Sequence, residues 1–152
     1  MKNWYTLISQ DISNVADALD YYETELVLAR HDLKIQGVIE RISAEMPGIV
    51  EHRFTQLQEI EAILELLNIE NRKARSLAFK RFLEHYERSL SARDVEKYVD
   101  GEDSVVAMEK LINEFALMRN RWLGITKGLD AKQFQLNNII KLRVSGLDDF
   151  RL

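Results

Sequence analysis

Between Asn71 and Arg88 the chain sets six cations, Arg72, Lys73, Arg75, Lys80, Arg81 and Arg88, among three aromatics, Phe79, Phe82 and Tyr86. Two kinds of chemistry are open to such a mixture. Lysine and arginine heads neutralise the phosphates of a nucleic-acid backbone, and an exposed ring stacks on an unpaired base; single-strand binders combine the two. Alternatively, the rings are core and the cations only solvate the rim of a helix, with their apolar stems laid over it.

Helical geometry divides the segment. At 100° per residue from Asn71, Phe82 falls at about 20°, Arg75 at about 40°, Tyr86 at about 60°, Phe79 at about 80° and Arg72 at about 100°. The apolar stripe just upstream, Ile60, Leu64 and Leu67, centres at about 0° on the same scale. Phe82 therefore continues a buried stripe, Arg72 and Arg75 edge it, and Lys73 and Lys80 face away. The net charge of -4 conceals this island. Residues 1–70 carry 13 acidic and 5 basic side chains, residues 71–93 carry 2 and 7, and residues 94–152 carry 10 and 9. A second basic stretch, Arg119, Arg121, Lys127, Lys132, Lys141 and Arg143 against Asp130, lies near the C-terminus. Local sign outweighs the total within a Debye length of roughly 8–10 Å.

Enzyme chemistry finds no foothold. His31, His52 and His85 lie far apart and outside any metal-ligand spacing, so surface or seam positions are expected and neither metal nor cofactor is assigned. Gly124-Ile125-Thr126-Lys127-Gly128 lacks the order that lets backbone amides cradle phosphates. Glu59, Glu61, Glu65 and Glu70 scatter around a helix instead of converging as an acid–base pair would. With no cysteine, thiolate chemistry and disulfides are excluded, and the composition suits a reducing, cytoplasmic setting. No apolar run reaches signal-peptide or membrane-span length, so no membrane role is expected.

The elements that must position these residues read as helices. Leu19, Tyr22, Leu26, Ala29, Leu33, Gln36, Ile39 and Ile42 recur at spacings of 3 and 4, which predicts a helix over about residues 11–45. Met46-Pro47-Gly48 is the clearest breaker and is expected to end it. Val50, Phe54, Leu57, Ile60, Leu64, Leu67, Asn71, Ala74 and Ala78 repeat the pattern in a second, long helix over 49–90. Ser91 reads as a cap for a short helix, Ala92 to Asp100, stopped by Gly101. Asp103 or Ser104 starts another through Val105, Met108, Leu111, Ile112, Phe115, Met118 and Trp122 that ends by Gly128. A last helix, capped by Asp130, stops near Gly146. The prediction is one all-α domain over 1–152, divided into an acidic region (1–46), a long helix with a basic end (49–90) and C-terminal helices (91–152). So long a helix cannot bury its seam within a small compact chain, so an antiparallel helical hairpin that pairs with further copies is expected.

Three segments carry a resemblance: Lys73-Ala74-Arg75 with aromatics after it, the run Tyr98 to Val105, and Lys132-Gln133-Phe134-Gln135-Leu136 followed by Ile139-Ile140. Over roughly residues 65–146 the chain resembles the bacteriophage UvsY family of recombination mediators. That resemblance implies a ring-like homo-oligomer that is not an enzyme. It would bind single-stranded DNA and help load a RecA-type recombinase onto strands covered by single-strand-binding protein, in the host cytoplasm. Carried over, it makes Lys73 and Arg75 DNA contacts and gives Phe134, Leu136, Ile139 and Ile140 an oligomerisation role. The chain departs from the family where Tyr21-Tyr22 lies upstream of Lys73 instead of following it, in its acidic N-terminal half, and in lacking a basic tail. The expected nucleic-acid contacts are Arg72, Lys73, Arg75, Lys80, Arg81, Tyr86 and Arg88. The alternative is a helical assembly adaptor with no nucleic-acid role, its cations paired with acidic helices.

Overall fold

Helix is the only regular structure among the described residues, 3–85 and 89–147, of this computed structural model. The order is α1 (Trp4–Gln10), a 3₁₀ turn (Ile12–Asn14), α2 (Val15–Asp32), α3 (Ile39–His85), α4 (Ala92–Asp100) and α5 (Asp103–Val144). Polar side chains cap two of the helices, Asn3 ahead of α1 and, as expected, Ser91 ahead of α4. The Asn3 side chain accepts from the Thr6 amide at 2.9 Å ahead of α1. Ser91 accepts from the Asp94 amide and donates its hydroxyl to the Asp94 carboxylate at 2.6 Å, starting α4 at Ala92. At the far end of α5, Gly146 takes φ 76°. The Leu147 amide then reaches the Leu142 carbonyl, and the Gly146 amide that of Arg143, closing the helix in a Schellman motif.

Two expected boundaries are corrected. The break between the first long helices falls not at Pro47 but between Asp32 and Ile39, where Gly37 adopts φ 98°. Pro47 lies inside α3, so this helix begins at residue 39 and not 49. Its missing N–H strands the Ser43 carbonyl, but Ser43 and Pro47 are both exposed, so water can reach that group. Likewise Gly128 ends nothing: α5 runs unbroken for 42 residues, and no new helix starts at Asp130. A Cβ on Gly128 would meet Leu33 Cδ2 at 2.8 Å, so this glycine serves close packing and not a turn.

The chain gathers into two compact units. The first comprises Met1–Val15 and Ile60–Leu117. Its buried residues include Trp4, Ile8, Ile60, Ile63, Leu67 and Phe115, and a cluster of Ala78, Val95, Val99 and Val105 against which Phe79, Phe82 and Leu90 pack.

The second comprises Ala16–Glu59 and Met118–Leu152 and buries Tyr22, Leu26, Leu57, Trp122, Ile125 and Leu129 around a polar centre. Arg53, 6 % exposed, donates to Glu25 at 2.7 Å, to Asp32 at 2.7 and 2.8 Å and to Gln56 at 2.8 Å. Its guanidinium also lies 5.8 Å from the Trp122 ring. Tyr22 donates to Glu59 at 2.7 Å, so contacts between α2 and α3 run in opposite order along the two helices. Burial raises the Glu25 pKa, but bonds from Gln56 and Arg53 and the charges of Arg53 and His52 outweigh it. The carboxyl is held below its usual range. The Tyr22 phenol is pushed up by burial and by its bond to Glu59. Phe54, expected in the seam, is exposed instead and lines a cavity of about 510 Å³ with Met46, Pro47, Val50 and Leu136.

Candidate nucleic-acid interface

The C-terminal third of α3 carries the basic cluster, and its cations fall into two groups. Arg75 and Arg81 reach other helices. Arg75 holds Asp100 at 2.6 Å and Glu109 at 3.3 Å, and Arg81 holds Glu102 at 2.6 Å. The remaining three pair along α3 itself, Arg72 with Glu65 at 3.3 Å, Lys73 with Glu70 at 2.7 Å and Lys80 with Glu84 at 3.9 Å. The local excess of positive charge counted along the chain is therefore met in space by six carboxylates, three of them contributed by α4, Glu102 and the start of α5. Arg72, Lys73 and Lys80 are largely exposed. Exposed pairs of this kind contribute about 0.3–0.5 kcal/mol each, so a polyanion competes for these cations at little cost.

Of the two described rings, Phe82 does not sink into the buried stripe as the wheel predicts. Phe82 and Phe79 are half-buried against the cluster around Ala78 and Val99. Phe82 does not end the aromatic surface, however. Tyr98 of α4, 45 % exposed, stacks on it with ring centroids 5.6 Å apart and planes 29° from parallel, and the Arg81 guanidinium lies 5.3 Å from the Phe82 centroid. The half-buried Phe82 thus stacks with the exposed ring of Tyr98 and lies under the Arg81 guanidinium, all on the first unit. Tyr98 was not among the expected contacts. Its signal was its place three residues after Val95 and beside Val99, the two buried positions of a helix whose cap was legible. Tyr86 and Arg88 lie outside the described residues.

Residues expected to join copies are split by α5. Leu136 and Ile139 are buried in the second unit, whereas Phe134 is 64 % exposed and Ile140 37 %. Leu142, Val144 and Leu147 are exposed as well. The second basic stretch divides too. Lys132 is buried and donates to the Asp32 carbonyl at 2.6 Å, with burial pulling its pKa down against the pull of Asp32 and Glu45. Arg121 holds Glu23 at 3.3 Å. Lys127, Lys141 and Arg143 are exposed and, among the described residues, take no ion pair.

No helix among the described residues is long and apolar enough to cross a membrane. Comparison with protein-family models, with curated proteins and with solved structures finds no significant match to this chain.

Proposed function

We propose that this chain is a non-enzymatic, homo-oligomeric recombination mediator of the host cytoplasm that binds single-stranded DNA and helps load a RecA-type recombinase onto it. The observation that carries the reading is the Arg81–Phe82–Tyr98 stack on the same unit as the exposed Arg72, Lys73 and Lys80. A half-exposed ring offers a face to a base, and displaceable cations offer charge to phosphates. The recombinase and single-strand-binding protein enter as partners through the resemblance at Lys73-Ala74-Arg75, Tyr98 to Val105 and Lys132 to Ile140. The opposite order of the α2 and α3 contacts supports an antiparallel hairpin as its frame. The open apolar residues Ile140, Leu142 and Val144 support self-association. Repeating a modest site around an assembly raises effective concentration, which lets an acidic protomer hold a polymer.

A second reading, an assembly adaptor without nucleic acid, is favoured by one observation: every described cation between Arg72 and Arg81 is paired with a carboxylate. Titration of labelled single-stranded oligonucleotide at low and moderate salt separates the two. The informative variant is Arg72→Ala/Lys73→Ala/Lys80→Ala, which spares the interhelical Arg75 and Arg81. A mediator binds with steep salt dependence, and the triple variant loses about 2 from the log–log slope at unchanged assembly mass. A wild-type protein that leaves the oligonucleotide unbound at low salt is an adaptor.

A further inference from the structure

We infer that the exposed face of α5 in the second unit is a separate contact for single-stranded DNA, built on Lys127, Phe134 and Lys141. The inference rests on the DNA-binding reading above and assigns to that strand a surface the basic cluster of α3 does not include.

Three observations carry it. Lys127, Phe134 and Lys141 follow one another at intervals of seven residues. Seven residues return a helix to the same side with a drift of about 20° and advance it by about 10 Å, so the three side chains form one line down α5. All three are exposed, on the side away from the buried Trp122, Ile125, Leu129 and Leu136. Lastly, both lysines are without an ion pair among the described residues, unlike the cations of α3. One carboxylate, Asp130, lies on the same flank between Lys127 and Phe134 and repels phosphate at that point.

What such a line can hold follows from its chemistry. An apolar partner helix would need a continuous apolar stripe, but here a single ring is flanked on both sides by charge. An acidic peptide would use the lysines and leave Phe134, 64 % exposed, without a role. A single strand uses both features, with phosphates at Lys127 and Lys141 and a base over Phe134, because each base carries a π-face while its backbone carries the charge. Phe134 thereby moves from the residues expected between copies to those expected on the strand, and Ile140, Leu142 and Val144 are left as the apolar end of the helix.

The test uses the full chain and a fluorescent oligothymidylate followed by anisotropy, with assembly mass measured in parallel. Phe134→Ala is expected to weaken binding about tenfold, and Phe134→Trp to retain it, since the ring is needed as a stacking face. Lys127→Ala/Lys141→Ala is expected to lower the salt slope by about 1.4. If the wild type binds and all three variants bind as it does, the inference is overturned while the DNA-binding reading stands. Loss of binding together with a changed assembly mass in Phe134→Ala also overturns it, by assigning the ring to a contact between copies. A wild type that does not bind removes both.

Discussion

In the last third of α3 every described cation ends on a carboxylate, whereas along α5 beyond Met118 Lys127, Lys141 and Arg143 end in solvent. Counted along the chain the two stretches are equally basic. What separates them is the origin of their counter-charges. Arg75 and Arg81 find theirs 21 to 34 residues away, on Asp100, Glu102 and Glu109, which folding brings alongside α3. α5 carries only Asp130 within its own basic stretch; of the acidic side chains of its unit, Glu25 and Asp32 hold Arg53, and Glu23 meets the stretch only at Arg121. A basic run in sequence is thus a statement about one strand of the packing, and the partner elements decide whether it becomes a free surface.

The sharpest form of this comparison sets a buried pair against exposed ones. Arg53→Ala leaves the partly buried carboxylates of Glu25 and Asp32 without the cation they share, a loss expected to cost about 3–5 kcal/mol in urea unfolding. The same network has a pH signature. Because the Glu25 carboxyl is held below its unfolded value in the folded chain, the stability it contributes is present above the unfolded value of about 4.3 and is lost as pH falls through the lower folded value. Glu25→Gln is expected to flatten stability against pH in that acidic window and to leave its slope near neutrality unchanged. An Arg53→Ala cost under about 1 kcal/mol would erase the distinction between the two kinds of pair.

Local signals were the legible ones. The Ser91 cap, the Ala92 and Asp103 starts, the Gly146 stop and the 3,4 spacing through Leu57, Ile60, Leu64 and Leu67 all depend on neighbours within a turn or two, and all appear in the structure. What was misread depends on burial. Pro47 breaks a helix only if the carbonyl it strands has no water, and its surroundings are exposed. Gly128 looks like a stop until Leu33 is known to press against it. Of the candidate interface, the cations and the division of Phe79 and Phe82 from Lys73 and Lys80 were readable. Tyr98 and the distant carboxylates were not, because they reach the site only through the packing of α4 and the beginning of α5 on α3.

Between the extremes stands Arg75, whose side chain is 35 % exposed and tied to two carboxylates on other elements. Arg75→Ala is expected to cost about 1 kcal/mol, more than an exposed pair and far less than Arg53, with oligonucleotide affinity falling in step with the loss of α4 packing. Rescue by added salt of stability but not of affinity would assign Arg75 to the strand itself and move it from a positioning residue to a contact.

The smallest expected effect is at Lys80. Its pair with Glu84 spans 3.9 Å, with the two side chains 71 % and 54 % exposed, so little attraction survives solvent. In Lys80→Ala the few tenths of a kcal/mol lost with the pair are offset by the higher helix propensity of alanine, and stability is expected to stay within about 0.3 kcal/mol of wild type. That neutrality makes the position useful: any fall in oligonucleotide affinity in Lys80→Ala comes from the lost charge and not from a loosened helix. A drop in stability comparable with that of Arg75→Ala would mean that Lys80 is held by more than Glu84, and the ranking of pairs by burial would fail at its exposed end.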